Sequence, residues 1–108
     1  MITNNIRVGG HKKLDPEQIV FLQGDTNYTQ IHLQDGSKLV VATTLKILES
    51  RLECHGFFRM HKSSLVNLIY VRTYDAHAST VRLSNNRVIT LSRRKNKAYQ
   101  LISQNQLA

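Results

Sequence analysis

The chain has 108 residues, 41% of them hydrophobic, with fifteen lysines and arginines against seven acids, a net charge of +8 and a single cysteine. That length holds one small domain, able to bury a core without staples, and the lone Cys54 excludes an internal disulfide. His11, His32, His55, His61 and His77 are too scattered for a zinc site, and no stretch suits a spanning helix or a signal core. The expectation is a cytoplasmic domain with no metal, cofactor, membrane partner or small-molecule substrate.

Residues 1–15 are polar apart from Ile6 and Val8, which predict one short strand. Pro16 closes a turn, and the apolar run Ile19-Val20-Phe21-Leu22 predicts a strand that ends at Gly24. From Tyr28 to Leu33 the pattern alternates. Asp35-Gly36 suits a type I′ turn and β-branched Val40, Val41 and Thr43 follow, so residues 27–43 are expected to form a hairpin.

The period then changes. Leu45, Leu48 and Leu52 fall on one helical stripe over 44–54, widened by Ile47, while Lys46, Glu49, Arg51 and Glu53 face outward. Thr43 or Thr44 can cap its start and Gly56 its end. Phe57 and Phe58 return to the core, and the stretch that follows to Asn67 reads as too polar for a plain strand. Leu68–Tyr74, Thr80–Leu83 and Val88–Leu91 predict an antiparallel meander, with Asn85-Asn86 turning the last two. Ser92 can cap a final helix running to about Ile102, its buried side expected at Ala98, Leu101 and Ile102. A single domain over 1–108 follows, with a core of about 7–103 and a polar tail 104–108.

The charge is unevenly placed. Residues 1–58 sum to zero, whereas residues 59–97 hold nine basic side chains against Asp75 alone. Such a one-sided field fits a polyanion, with a merely solubilising surface as the rival reading. Within it, Arg93-Arg94-Lys95-Asn96-Lys97 puts four cations at the positive end of a helix dipole, which costs about 0.3–1 kcal/mol per charge and offers no folding benefit. Free backbone N–H groups and guanidinium groups at that position suit phosphate.

The stretch Phe58-Arg59-Met60-His61-Lys62-Ser63-Ser64-Leu65-Val66-Asn67 interleaves apolar anchors with Arg59, His61, Lys62 and Ser63, donors suited to phosphate oxygens. An enzyme built on these residues lacks parts. Asp75 is the nearest downstream acid, no Gly-x-Ser-x-Gly elbow exists, and no Gly-rich phosphate loop is present. A third group, Gln23-Gly24-Asp25-Thr26-Asn27-Tyr28, is a polar loop in which Asn27 could read adenine and Tyr28 reach phosphate; it reads equally as an ordinary turn.

Taken in order, Ile19–Leu22 before Asn27-Tyr28, then Thr44-Leu45-Lys46-Ile47-Leu48-Glu49, then Phe58–Asn67, then Leu91-Ser92-Arg93-Arg94, resemble the LytTR DNA-binding domain over about residues 7–103. The resemblance implies a mostly β fold with two α-helices, its antiparallel strands in small stacked sheets, acting as the output domain of a bacterial transcription regulator on double-stranded DNA. It implies loops in successive major grooves of a bent duplex. Asn27, Tyr28, Arg93 and Arg94 would then face bases, with Arg94 the best base reader. The backbone contacts would fall to Arg59, His61, Lys62, Ser63, Lys95 and Lys97. Two copies on a direct repeat are typical of such domains.

Two departures stand out. Position 64, usually aromatic in the family, is Ser64, which bears on packing beneath the His61 turn. Relatives mostly carry a receiver or sensor domain ahead of this one, and only residues 1–18 precede the first confident strand here, so a stand-alone regulator or a separated output domain is expected. The rival readings are an RNA or single-strand binder using Tyr28, Tyr70 and Tyr74, and a basic module for an acidic protein partner.

Overall fold

The apolar run Ile19–Leu22 lies at the centre of the molecule. The computed structural model describes residues 5–107, with side chains as far as Ser103. In chain order the elements are β1 (Ile6–Gly9), β2 (Lys12–Leu14), β3 (Ile19–Gly24), β4 (Thr29–Leu33), β5 (Lys38–Val41), α1 (Leu45–Leu52), β6 (Phe57–His61), β7 (Ser64–Asn67), β8 (Val71–Asp75), β9 (Thr80–Leu83), β10 (Val88–Thr90) and α2 (Arg93–Leu107). They form three antiparallel sheets: the β1-β2 hairpin, a five-stranded sheet ordered β5-β4-β3-β7-β6, and a three-stranded sheet ordered β10-β9-β8.

The larger sheet is covered on both faces, which is why β3 reads as a continuous apolar run and not as an alternating one. On one face Ile19, Leu22, Ile31, Val41 and Leu65 meet Leu45, Leu48 and Leu52 of α1, with Val8 of β1 closing the layer. On the other, Val20, Phe21, Met60 and Val66 meet Val81, Leu83, Ile89 and Leu91 from the smaller sheet and Tyr99 of α2. The pairing of β3 with β4 shifts between Ile19 and Phe21, so Val20 and Phe21 both join this second core.

The expected hairpin over 27–43 is present as β4 and β5, with Ile31 opposite Leu39. Its turn differs from the type I′ expectation: only Gly36 takes a positive φ, 89°, while the Asp35 carboxylate accepts the Ser37 N–H at 2.8 Å. The same turn recurs at 83–87, where Asn86 has φ 67° and the Asn85 side chain accepts the Arg87 N–H at 3.0 Å. The N-terminus forms a two-stranded hairpin where one strand was expected. The first helix ends at Leu52, continues as a 3-10 turn over Glu53–His55, and stops at Gly56 with φ 79°. Thr44 occupies the cap position, but its side chain makes no capping hydrogen bond.

The largest departure from the sequence reading is 58–67. Read as too polar for a plain strand, it is a β6-β7 hairpin, and all of Ser64-Leu65-Val66-Asn67 is buried between β3 and β6. Its polar ends are satisfied internally. The Asn67 amide donates to the Ile19 carbonyl at 2.9 Å and the Pro16 carbonyl at 3.2 Å, and its oxygen accepts the Ile69 N–H at 3.3 Å. That last bond starts a 3-10 turn at Leu68–Tyr70, which replaces the beginning of the strand expected from Leu68. In α2 the buried residue is Tyr99, with Ala98 and Ile102 of the expected side partly buried beside it, whereas Leu101, expected with them, is 64% exposed. The helix backbone runs on to Leu107 instead of stopping near Ile102; the side chains of the polar tail 104–108 lie outside the described residues.

Candidate nucleic-acid interface

The turn between β6 and β7 places Lys62 and Ser63 at the end of the larger sheet. Arg59 holds it from beneath: its guanidinium donates to Glu49 Oε1 at 2.7 Å and to the Lys62 carbonyl at 2.6 Å, while Nε donates to the His61 carbonyl at 2.9 Å. His61 braces the other side. Its Nδ1 accepts the Ser63 N–H at 3.1 Å and its Nε2 lies 3.0 Å from the Ser64 hydroxyl. With Nδ1 accepting, the neutral ring carries its proton on Nε2 and donates to Ser64, so this Ser-His pair has the wrong tautomer for activating a nucleophile. Burial, then the charges of Arg59 and Lys62, pull the His61 pKa below its ordinary value. Ser64, where an aromatic ring was expected by family likeness, is 5% exposed and packed through this bond.

Two neighbours are tied to the same turn. The Ser63 carbonyl accepts the Gly24 N–H at 2.8 Å, fixing the start of the β3-β4 loop, and the Tyr28 carbonyl accepts the Asp25 N–H at 2.8 Å within that loop. Asn27 is exposed at its tip and Tyr28 is 40% exposed. The hydrogen-bonded Asp25 carboxylate, by that bond and by its charge, pushes the Tyr28 phenol above its ordinary pKa. On the other flank, the Ser92 N–H donates to the Met60 carbonyl at 3.0 Å, tying the approach to α2 to β6.

The first turn of α2 is capped as expected, with Ser92 Oγ accepting the Lys95 N–H at 3.3 Å. It is pinned from below by Asn96, whose amide donates to the Ala76 carbonyl at 3.0 Å and the Ser79 hydroxyl at 2.9 Å, and whose oxygen accepts the Tyr74 hydroxyl. Those anchors leave Arg93, Arg94 and Lys97 exposed on the helix start, while Lys95 is half-buried with Nζ 5.5 Å from the centre of the Phe58 ring.

Lys62 and Arg94 share one open cavity of about 610 Å³ with Glu49, Arg59, His61, Ser92 and Lys95. Lys62 and Ser63 also line a second, of about 470 Å³, bounded by Gly24, Asp25 and Thr26 and by Thr44 and Lys46 at the head of α1. The Lys62 turn thus stands between the β3-β4 loop and the start of α2. Asn27, Tyr28, Arg93 and Lys97 line neither of these cavities. Among the described residues the one ion pair is Arg59–Glu49, so the exposed cations of this side have no carboxylate partner.

Lys46 and Glu49 escaped the sequence reading, which placed both on a solvated helix face. The signal was present for Lys46: it is a cation in the first turn of α1, where there is no acid, the same conflict with the dipole that singled out 93–97. Glu49 carried no such signal, because its role appears only when β6 packs beside α1 and brings Arg59 to it.

The LytTr DNA-binding domain family model matches residues 9–102, most of the chain. The chain belongs to the LytTr DNA-binding domain family. Its fold is that of the LytTr DNA-binding domain of a Bacillus cereus protein described as a methyl-accepting/DNA response regulator, to which it is similar with a TM-score of 0.73, 16% identity and coverage of 89% of this chain and 93% of that one. No curated protein matches. This LytTr domain is therefore a DNA-binding one of mostly antiparallel strands with two helices, in a family defined by binding and not by catalysis. No helix among the described residues is long and apolar enough to cross a membrane.

Proposed function

We propose that this LytTr domain is a sequence-specific regulator of transcription that grips double-stranded DNA along the side carrying the β3-β4 loop, the Lys62 turn and the start of α2. The observation that carries the reading is the shared cavity of Lys62 and Arg94, with the same Lys62 lining the cavity beside the β3-β4 loop. Arg94 and Arg93, with Asn27 and Tyr28, face bases in successive major grooves. Lys62, Ser63, His61, Lys95 and Lys97 sit over backbone, and the duplex bends to meet both loops. Arg59 acts in this scheme by shaping the turn that presents Lys62, since its donors serve Glu49 and two carbonyls. The unit is a single domain over 1–108, working in the cytoplasm, with two copies on a direct repeat.

Selection from random duplexes tests partner and specificity together. A single enriched motif is expected, and its affinity should fall with salt at a log–log slope near −5, as about six neutralised phosphates require. A flat salt response, or no enriched motif, overturns the reading. The single-strand alternative has lost its platform: Tyr70 is 8% exposed and Tyr74 spends its hydroxyl on Asn96, which leaves Tyr28 as the exposed ring.

A further inference from the structure

Arg87 and Leu91 flank β10, and strand alternation sets them in one row with Ile89. Ile89 and Leu91 are buried in the core, and the third place, just ahead of the strand, holds the exposed Arg87. Its guanidinium carbon lies 5.1 Å from the centre of the Phe21 ring. His32 stacks on that same ring, centres 4.2 Å apart and planes within 9°. Beside the ring opens a cleft of about 280 Å³ whose walls include Gln23, His61, Ser64, Arg87 and Thr90.

The positive charge here is uncompensated. Arg87 has no carboxylate partner among the described residues, and Lys38 stands directly across from His32 in the β4-β5 pairing. Asp35, the acid nearest in the chain, spends its carboxylate on the Ser37 N–H and hydroxyl. His32 Nε2 is buried with no hydrogen-bond partner, and burial, followed by the charges of Arg87 and Lys38, holds the ring toward its neutral form. A guanidinium lying over a ring face can still offer its N–H donors to a ligand, and the amide and hydroxyl groups of the cleft add further donors. His61 lines both this cleft and the Lys62–Arg94 cavity, so one side chain borders each of them.

We propose that Arg87, with Gln23 and Thr90 along the cleft wall, forms a phosphate-binding site on the flank of the DNA-contacting side, and that Lys38, outside the cleft but across from His32, adds its charge to it. The phosphate group comes either from the duplex backbone, in which case the site rests on the DNA-binding reading above, or from a free phosphoryl ligand. The rival account is structural: a charge at the start of the edge strand β10 guards it against pairing with another chain. That account predicts that changing Arg87 alters self-association and leaves anion binding untouched.

The experiment follows the His32 ring protons by NMR through a pH titration of the intact chain. It is run alone, with inorganic phosphate, and with the selected duplex, for wild type, Arg87→Gln and Lys38→Gln. An anion at the site raises the His32 pKa in the wild type and much less in either variant. A rise with duplex but not phosphate assigns the site to the DNA backbone. Arg87→Gln should then flatten the salt slope by about 0.9, making binding about eightfold weaker at ~0.1 M salt if the two lines meet near 1 M. A rise with inorganic phosphate alone assigns it to a free phosphoryl ligand. No rise with either, or equal rises in both variants, overturns the site. If at the same time Arg94→Ala abolishes motif preference, the DNA-binding reading stands while this site falls.

Discussion

The Lys62 turn and the start of α2 both carry cations toward the same side, yet they use their donors in opposite ways. At the turn, the Arg59 guanidinium, the Ser63 N–H and the His61 ring are all engaged within the protein. At the start of α2, the anchoring is done from below by Ser92 and Asn96, and the guanidinium groups of Arg93 and Arg94 stay exposed. The turn spends its other donors on holding Lys62 in position, and the start of α2 keeps its own for a ligand. A basic residue in a binding segment is therefore not automatically a contact, and the two classes should separate under mutation.

Arg59→Met tests the first class and has the largest expected effect. It removes bonds to Glu49, the His61 carbonyl and the Lys62 carbonyl from a side chain 19% exposed. The loss should be about 2–3 kcal/mol of folding stability in a denaturant titration, together with weaker binding to every duplex alike. A variant of unchanged stability that selectively loses its motif would make Arg59 a reader and erase the contrast.

Arg94→Ala should do the reverse. Stability should stay within about 0.5 kcal/mol of wild type, because the side chain is exposed. Discrimination between the selected motif and a mismatched one should shrink by about 1–3 kcal/mol in competition binding. Equal loss on all duplexes would reduce it to a phosphate contact.

Lys97→Ala sharpens the same line from the other side. Exposed one turn into α2 and outside both cavities, it should weaken binding uniformly and reduce the salt slope by about 1, with motif preference unchanged. A change in preference would place it against bases.

What could be read ahead of the structure was what is locally encoded. The β4-β5 hairpin and α1 follow from periods of two and about 3.6 that one covered face imposes, and the cations of 93–97 declared themselves by opposing their own helix dipole. The strand β7 was hidden because it is covered on both faces and carries Ser64 and Asn67, whose polarity is absorbed by His61 and by carbonyls forty-eight and fifty-one positions away in the chain. The buried side of α2 was legible at Ala98 and Ile102, which are partly buried, but its centre was hidden for a related reason. Tyr99 and not Leu101 faces inward because Asn96 is pinned by Tyr74, Ala76 and Ser79, partners no helical period reveals. A partner on a different element, ten positions away, hid Glu49, and with it the fact that Arg59 was already engaged.

The smallest expected effect is also the subtlest test of the positioning turn. The folded-state pKa of His61 lies below its ordinary 6.5, chiefly through burial and then through Arg59 and Lys62. As pH falls through that ordinary value the unfolded chain takes up a proton that the folded chain resists, so stability is fully present above about 6.5 and declines toward the lower folded value. Protonation would also strip Nδ1 of its capacity to accept the Ser63 N–H, loosening the turn just as the ring gains a charge attractive to phosphate. His32 shifts in the same direction, so each ring contributes part of the acid sensitivity. Thermal unfolding at pH 5 and 7.5 should show a smaller difference in His61→Gln than in wild type, and His32→Gln should remove a separate part. If His61→Gln keeps the full wild-type difference, the Ser63 bond does not hold the neutral ring, and the turn draws its rigidity from Arg59 alone.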